Sequence, residues 1–480
     1  MPGMTVASGH VCTVPRVETV PARPDPVQVL RLAARRDAGV AMLHSAAADR
    51  RWGRWSILCA RPAAVLEVWD AGGPDPFAAL AERIRQARIS RISGLALPFY
   101  AGWVGFLGYE AARFLEALPA GAASDVGLPV ARFGLYGSAA LYDHVAGRWY
   151  VAAAELPDHA GTPGVGLDGL RFWGDLLRAA ERAGPLAEPT AGGPSASIAE
   201  VDDYLAGMHA SLSPDQFKAA VGRAVEYIAA GDIYQVNLAR RLTTALPAEP
   251  LELYLRLCRT NPAGYAAYLA LENKAVVSSS PELFLQVRGD HVVTRPIKGT
   301  RPRVGHAGID AEARRALPAS RKDLAELTMI IDLERNDLGR VCRFGSVRVI
   351  EPFGLEEHPT VYHLVATIEG RLQEGRDAID LLRASFPGGS ITGAPKIRAM
   401  QIINELEPVV RSVYCGAIGC ISLDGQMTMN IAIRTLLVDG SRVHLYTGGG
   451  IVADSVPELE LAETVAKARG MARALMNDRP

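Results

Sequence analysis

The stretch CGAIGCISLDGQMTMNIAIRTLLVDGSRVHLYTGGG, residues 415–450, decides the fold class. It holds three apolar, strand-like runs that are separated only by the short turn sequences DGQ and DGS. Strands joined by such short turns pair antiparallel, because a parallel pair needs a long crossover connection. We therefore predict an α+β fold with antiparallel sheets rather than a doubly wound parallel sheet.

Further periodic runs lie on both sides of this stretch, and Ser213 and Ser455 are predicted helix N-caps, the latter in a capping box with Glu458. Additional strands are predicted over residues 64–69, 147–156, 275–287 and 291–300, and helices over residues 76–87, 170–183, 213–231, 320–340, 377–385, 395–406 and 456–476.

A segment rich in Pro, Gly, Ala and Ser, GPLAEPTAGGPSAS, begins at residue 184 and predicts a linker. It divides the chain into two parts that both contain strands and helices. The predicted organisation is a loose N-terminal arm (1–26), an N-terminal subdomain (27–183), a linker (184–212) and a catalytic domain (213–480).

Composition excludes several classes of protein. Of the 480 residues, 49% are hydrophobic, which is enough for a large core, and the net charge of -1 provides no basic field for nucleic acid or membranes. Six cysteines without a CxxC pair argue against a disulfide framework or a structural zinc site, and no apolar leader begins the sequence. These features predict a cytoplasmic protein with reduced thiols.

The segment RPIKGTRPR, residues 295–303, places Lys298 in a strand-like run directly before a glycine. A lysine at such a position is a candidate nucleophile, since the missing side chain of Gly299 lets a substrate approach. The three arginines of the segment would lower the pKa of a buried lysine by like charge. The alternative is a lysine that faces solvent at a strand end, beside a solvated basic edge.

Acidic residues recur at helical spacing in two predicted helices. Asp323 and Glu326 lie on one face of helix 320–340, and Glu460, Glu463 and Lys467 lie on one stripe of helix 456–476. If the two faces meet, their carboxylates form a site for a hard divalent cation such as Mg²⁺. The alternative is two exposed faces with intrahelical ion pairs.

Two glycine-rich turns, FPGGSITGAPKIRAM (386–400) and YTGGGIVADS (446–455), are candidate anion sites, because their backbone N–H groups are open to a carboxylate. Simple turns are the alternative, and neither matches the P-loop pattern. Arg434 lies in an apolar run and needs a partner, which makes it a candidate carboxylate clamp. His358 and His363 lack the spacing of a zinc site.

Nine segments in order resemble one known family, the chorismate-utilising enzymes. They are GDIYQVNLARR, SSSPELFL, RPIKGTRPR, DLERNDLGRVC, VYHLV, GGSITGAPK, YCGAIG, NIAIRT and GGGIVADSVPELELAE, within residues 213–475. MLHSAAADRRWGRWSIL and GWVGFLGYE are similar to the first subdomain of that family. The resemblance implies antiparallel sheets packed in a sandwich core with helices outside.

Two sequence positions indicate which reaction, among those of the family, the resemblance implies for this chain. Lys298 in PIKGT resembles the aminodeoxychorismate synthases, whereas anthranilate synthases typically have alanine there. Gln235 stands where water-adding members carry a basic lysine. The resemblance thus implies amination of chorismate at C4, on the route to 4-aminobenzoate and folate. An anthranilate synthase is the alternative, and an inert family member that only binds a partner is a hypothesis of a different class.

The resemblance also implies roles for individual residues. Lys298 would attack the ring at C2, Glu282 would protonate the leaving hydroxyl, and His363 matches a family histidine near the ring. The expected substrate-binding residues are Tyr414, Arg434, Gly449, Gly450, Lys467 and Thr300, and the expected Mg²⁺ ligands are Glu326 and Glu463, with Glu460 and Asp323 close by.

Two further expectations concern a partner and a regulator. No cysteine lies in a G-x-C-x-G nucleophile elbow, which predicts that a separate glutamine amidotransferase subunit delivers the ammonia. Ser45 in MLHSA and Pro262 in NPAGY resemble a tryptophan pocket of the family. Gly264 departs from the proline that relatives often have at that position.

Overall fold

The computed structural model describes residues 13–47, 52–119, 122–156, 166–184, 196–358 and 361–476. Two large antiparallel sheets form its centre, and helices cover them. The prediction of an α+β fold with antiparallel sheets is confirmed.

The strands range from two to eleven residues in length. In chain order they are β1 (Arg16–Val20), β2 (Ala41–His44), β3 (Trp55–Cys59), β4 (Ala64–Val68), β5 (Gly102–Leu107), β6 (Ala131–Tyr136), β7 (Ser138–Asp143), β8 (Arg148–Ala153), β9 (His209–Ala210), β10 (Gln235–Ala245), β11 (Tyr265–Leu271), β12 (Lys274–Ser280), β13 (Leu283–Arg288), β14 (His291–Arg295), β15 (Ile297–Pro302), β16 (Arg348–Glu357), β17 (Val361–Arg371), β18 (Gly393–Ala394), β19 (Ala417–Ser422), β20 (Met427–Ile431), β21 (Thr435–Asp439) and β22 (Arg442–Ile451).

The helices follow the predicted segments closely, and α1, α4, α6 and α7 below are additions to them. They are α1 (Pro26–Ala34), α2 (Pro76–Gln86), α3 (Asp168–Ala183), α4 (Ile198–Ala206), α5 (Pro214–Ala229), α6 (Pro250–Thr260), α7 (Ala307–Ala319), α8 (Arg321–Gly339), α9 (Ala378–Ser385), α10 (Lys396–Leu406) and α11 (Pro457–Leu475). Ser213 caps α5 in a capping box with Gln216, as a predicted N-cap should.

Each sheet combines strands from both parts of the chain. The 12-stranded sheet has the order β1-β8-β7-β3-β2-β11-β12-β21-β22-β10-β18, with β9 beside β10. The 10-stranded sheet has the order β15-β17-β14-β13-β20-β19-β5-β6-β4, with β16 beside β17. Strands before residue 184 therefore pair directly with strands after residue 213, at β2–β11 and at β5–β19.

The quoted turns are confirmed, but two predicted strands are each divided between the sheets. DGQ joins β19 to β20 and DGS joins β21 to β22, with Gly425 and Gly440 at positive φ (86° and 60°), where glycine is least strained. The second of the three predicted runs, between DGQ and DGS (residues 427–438), leaves one sheet after β20 and enters the other at β21. The predicted strand 275–287 does the same between β12 and β13. These two crossings position the candidate site.

The apolar core has two layers. One cluster joins residues of both sheets, such as Phe106, Val276 and Leu285, and extends to α2, α8, α9 and α10. A second cluster, with Trp149 and Leu176, lies between the 12-stranded sheet and the helices on its other face. Burial of such side chains on both faces of a sheet provides the main driving force for this layered arrangement.

Two boundary predictions are corrected by the structure. The loose arm is wrong for Arg16–Val20, which forms edge strand β1 on β8, and residues 1–12 lie outside the described part. The linker is wrong for Ile198–Ala206 and His209–Ala210, which form α4 and β9, while residues 185–195 are likewise outside it. Among the described residues, every helix is too short or too polar to cross a bilayer.

Candidate active site

The two crossings between the sheets lie side by side and bring two predicted site residues together. Glu282 lies between β12 and β13, and Arg434 lies between β20 and β21. Hydrogen bonds join the crossings: Ser280 Oγ donates to the carbonyl of Ile431 at 2.5 Å, and the Ile431 N–H donates to the Glu282 carbonyl at 3.1 Å. The chain thus brings an acidic side chain and a positively charged side chain to the junction of both sheets.

Lys298 lies on β15 and turns inward. Its Nζ donates a hydrogen bond to the carbonyl of Ser390 at 3.1 Å, and burial lowers its pKa, although the charge of Glu326 acts against this. Gly299 has φ +80°, and a Cβ there would lie 3.0 Å from Asp323. The solvent-facing alternative for Lys298 therefore does not hold, and Gly299 is needed for the backbone path.

The three arginines near Lys298 each have a partner of their own. Arg301 pairs with Asp323 at 2.8 Å. The other two, Arg295 and Arg303, contact Glu356 and the backbone carbonyl of His358. The expectation that these arginines lower the pKa of Lys298 is wrong, since the nearby like charge that lowers it is Lys467.

Glu282 is 3% exposed and accepts a hydrogen bond from Ser390 Oγ at 2.6 Å. Burial raises its pKa to about 7, although the Ser390 hydrogen bond and the charge of Lys298 favour the ionised form. A carboxyl group with such a pKa is partly protonated near neutral pH, which suits it to donate a proton in a reaction.

Ser390 joins the two groups, since its carbonyl contacts Lys298 and its hydroxyl contacts Glu282. It lies in a single 3₁₀ turn, Gly389–Ile391, within the first glycine-rich segment. The Gly389 N–H donates to Glu334 Oε1 at 3.1 Å. The acceptor of this N–H is thus an internal carboxyl group, so for Gly389 the expectation of an open anion site is wrong.

The second glycine-rich segment runs along β22 and faces the other candidate groups. A Cβ on Gly449 would lie 3.3 Å from Glu460 Oε2 and 3.7 Å from Glu463 Oε1. A Cβ on Gly450 would lie 3.4 Å from Lys298 Nζ and 2.5 Å from Gln235 Nε2. The two glycines therefore leave a gap on the strand between the acidic helix α11 and the lysine.

The acidic faces of α8 and α11 meet at this gap. Glu326 and Glu460 each have an oxygen 3.9 Å from the Nζ of Lys322, so that one cation lies between two carboxylates. Glu463 pairs with Lys467 at 2.7 Å; although burial acts against its ionisation, Lys467 holds the pKa of Glu463 low. Burial raises the pKa of Glu326.

These carboxylates come from two helices and already surround one positive charge, the Lys322 ammonium. Such hard oxygen donors are suited to Mg²⁺ with bound waters. Within the described ranges, no three acidic, histidine or cysteine side chains already have metal-site spacing. Asp323 is paired with Arg301.

The predicted capping box is wrong: Val456 is the N-cap of α11, and Ser455 Oγ instead donates to Glu460 Oε1 at 2.6 Å.

His363 lies on β17 opposite Thr300 of β15. The Thr300 hydroxyl and His363 Nδ1 are 2.9 Å apart, and Nε2 is buried with no hydrogen-bond partner among the described residues. Burial lowers the pKa of His363 well below its usual range, and Arg434 and His358 act in the same direction. The ring is therefore neutral at physiological pH, with one nitrogen left for a ligand.

Arg434 has φ +50° and donates to Asn261 Oδ1 at 3.4 Å. Burial lowers its pKa to about 10, although the charge of Glu282 acts against this. In the part of the chain that the structure describes, no acidic side chain forms an ion pair with it. Tyr414 is buried and stacks on Tyr446, with ring centroids 5.2 Å apart.

The residues of the predicted tryptophan pocket are at a different place. Ser45 lines a cavity of about 300 Å³ between the sheets, and its hydroxyl donates to the carbonyls of Trp55 (2.9 Å) and Gly264 (3.2 Å). Gly264 also lines this cavity, but Pro262 does not, and neither does Lys298.

Sequence reasoning missed Ser390, although its segment had been singled out for its glycines. The signal was a hydroxyl directly after two glycines, a place where the backbone turns and a short side chain can point inward. Gln235, noted only for what it replaces, is buried, and both polar atoms of its amide lack a partner among the described residues.

Comparison with known proteins finds similarity over most of the chain. The family described as chorismate binding enzyme matches residues 41–473. The anthranilate synthase component 1 of Streptomyces coelicolor is 43% identical over 404 residues (84% of this chain, 78% of the relative). The aminodeoxychorismate synthase component 1 of Escherichia coli is 37% identical over 446 residues (90% and 92%). The crystal structure of anthranilate synthase component I from Streptococcus pneumoniae superposes with a TM-score of 0.71 at 30% identity (87% of this chain, 92% of that chain).

Proposed function

Because the chain belongs to the chorismate binding enzyme family, it is a chorismate-utilising enzyme, and we propose that it is an aminodeoxychorismate synthase component I. It would convert chorismate and ammonia to 4-amino-4-deoxychorismate, on the route to 4-aminobenzoate and folate. The observation that carries this proposal is a half-buried lysine amine joined through one serine to a buried carboxyl group.

The first step needs a nucleophile and an acid on the same ring. The neutral amine of Lys298 forms a bond to C2, the two conjugated double bonds shift, and the C4–O bond breaks. Glu282 gives its proton to the departing hydroxyl, which leaves as water. The lowered pKa of Lys298 and the raised pKa of Glu282 both favour the protonation states that this step requires.

The second step returns both groups to their starting states. Ammonia bonds to C4 and gives a proton to the Glu282 carboxylate, the double bonds shift back, and the bond from C2 to the Lys298 nitrogen breaks. The net reaction joins chorismate and ammonia and releases water. We propose that a separate glutamine amidotransferase subunit supplies the ammonia.

The substrate carries two carboxylates, and two regions are proposed to bind them. The guanidinium of Arg434, which has no acidic partner within the described residues, would hold the enolpyruvyl carboxylate together with Tyr414. Gly449, Gly450 and Lys467 would hold the ring carboxylate, because the glycines leave space beside Lys298. Thr300 and His363 would lie at the ring.

Mg²⁺ is the proposed cofactor, held by Glu326, Glu460 and Glu463 with Asp323 close by. When bound, the ion would neutralise the charge of the ring carboxylate and orient it. The two carboxylates that share Lys322 support this assignment. The lysine side chain is 54% exposed and so is free to leave when a divalent cation arrives.

The product decides the proposal. The protein is incubated with chorismate, ammonium at alkaline pH and Mg²⁺, and the products are separated by mass. We expect 4-amino-4-deoxychorismate, and 4-aminobenzoate once an aminodeoxychorismate lyase is added. Fluorescent anthranilate without any lyase would overturn the proposal in favour of an anthranilate synthase, the second candidate that the 43% identical relative favours. Binding of a partner without any turnover would indicate an inert family member.

The covalent step has its own test in Lys298→Ala. We expect a loss of turnover of about 100-fold or more, since the nucleophile disappears. The control is Lys218→Ala on α5, which removes a lysine whose ion pair within the described residues is with Asp215. Equal turnover of the two variants would remove the lysine from the reaction.

The cavity lined by Ser45 is the proposed tryptophan site, although Gly264 departs from the family pattern. Tryptophan titrated into the protein should raise its melting temperature, and Ser45→Ala should weaken the effect. An unchanged melting temperature at saturating tryptophan would contradict this assignment.

A further inference from the structure

The turn Gly389–Ile391 is held from several sides by buried groups. Glu334 of α8 accepts the Gly389 N–H at 3.1 Å, and the side chain of Arg411 donates to the carbonyl of Ile391 at 3.0 Å. Ser390, between these two points, is 6% exposed. A turn held at both of its ends by hydrogen bonds to buried side chains has little freedom to shift.

Arg411 is itself fixed. Its side chain is 1% exposed and forms a bidentate pair with Glu407 at 2.6 and 2.9 Å. A further N–H of the guanidinium donates to the carbonyl of Asn237 on β10 at 2.6 Å. Arg411 thereby ties the Ser390 turn to the strand that carries Gln235. A buried guanidinium with all of these contacts acts as a rigid support.

The central residue of this supported turn faces both proposed reacting groups. Ser390 Oγ is 2.6 Å from Glu282 Oε1, and the Ser390 carbonyl is 3.1 Å from Lys298 Nζ. We propose that Ser390 is a positioning residue of the reaction. It holds the Glu282 carboxyl group and the Lys298 amine at fixed positions relative to each other. This inference rests on the proposed roles of those two residues.

The hydroxyl has a directional effect on the acid. As a donor it favours the ionised form of Glu282, so its removal raises the pKa of that group further. The other titratable or charged groups that act on or face Glu282 are Lys298, Arg434, Glu334 and Cys415. All of them remain when only the hydroxyl of Ser390 is removed, so a shift reports on that hydroxyl.

The test compares Ser390→Ala with Ser385→Ala by loss of chorismate in the presence of ammonium and Mg²⁺. Ser385 is a buried serine at the end of α9, and its hydroxyl has no partner among the described residues, so its removal breaks no hydrogen bond. For Ser390→Ala we expect kcat to fall about 10-fold or more, since a misplaced general acid loses part of its effect. KM for chorismate should stay within about threefold, and the limb of the kcat/KM profile that Glu282 sets should move to higher pH.

Equal kcat and equal pH profiles of the two variants would overturn this inference alone, provided that the unaltered protein consumes chorismate. If the unaltered protein does not consume chorismate, the proposed function fails and this inference fails with it. Should Ser390→Ala not fold, Ser390→Cys takes its place, because a thiol is a weaker donor of similar size. A pH limb of Ser390→Cys equal to that of Ser385→Ala would then be the refuting result.

Discussion

Replacing Glu282 by glutamine should make the protein more stable at alkaline pH while removing most of its activity. Burial raises the pKa of this carboxyl group from 4.5 to about 7. The folded state therefore holds a proton that the unfolded state has lost between these two pH values. The free energy of unfolding then falls as the pH rises through this window, and the full loss is present above pH 7.

The magnitude follows from the size of the shift. Roughly two and a half pKa units at about 1.4 kcal/mol each give a loss of about 3 kcal/mol above the window. Glutamine is nearly isosteric and never ionises, so it does not incur this loss. It does place an amide donor where the carboxyl group accepts from Ser390 and from the Ile297 N–H, which is unfavourable by an amount that does not depend on pH.

The readout is thus the difference between two pH values. Urea unfolding at pH 5 and pH 8 gives the change in the free energy of unfolding for Glu282→Gln at each pH. We expect the change at pH 8 to be more stabilising than that at pH 5 by about 2–3 kcal/mol. Turnover should fall about 100-fold or more. Glu312→Gln on the exposed surface of α7 is the control for the chemical change. The same value at both pH values would refute the reasoning that burial holds Glu282 protonated.

Three further substitutions test the site. Gly450→Ala should lower turnover sharply, because its Cβ would lie 2.5 Å from Gln235 Nε2. The control is Gly222→Ala on α5, whose Cβ would meet no atom within 4 Å, so that turnover should not change. Steady-state rates with ammonium measure both variants. Arg434→Gln should raise KM for chorismate about 10-fold or more, since a charged hydrogen bond to a carboxylate is lost; an unchanged KM would argue against the clamp. Glu463→Gln should raise the Mg²⁺ concentration needed for half-maximal rate, measured by Mg²⁺ titration, and an unaltered requirement would remove this ligand from the assignment.

Local patterns predicted seven of the described helices and the strands next to the quoted turns because they report local physics, whereas α1, α4, α6 and α7 and strands such as β10 and β17 were missed. The DG turns, the capping Ser213 and the periodic helices all depend on contacts between residues close in sequence. The acidic stripes of α8 and α11 were also visible in advance, since helical spacing alone puts their carboxylates on one face. Their meeting at Lys322 depends on how the two helices pack, and spacing does not determine that.

The crossings between the sheets could not be predicted from periodicity. The run through Arg434 is apolar and strand-like on both sides, so nothing in its composition marks the point at which it leaves one sheet for the other. The bend, with φ +50° at Arg434, is imposed by pairing with strands far away in the sequence. The partners of the arginines near Lys298 were hidden for the same reason, because Asp323 and Glu356 come from other elements.

The interleaving of early and late strands has a consequence for synthesis in the cell. β5 pairs with β19, so Gly102–Leu107 cannot form this pairing during synthesis until Ala417–Ser422 has been translated. During that time its apolar side chains, all buried in the finished protein, have no native neighbour on that side. Nascent chains of this protein should therefore depend on chaperones, and a chain that ends after β5 but before residue 417 should aggregate rather than form a smaller folded enzyme.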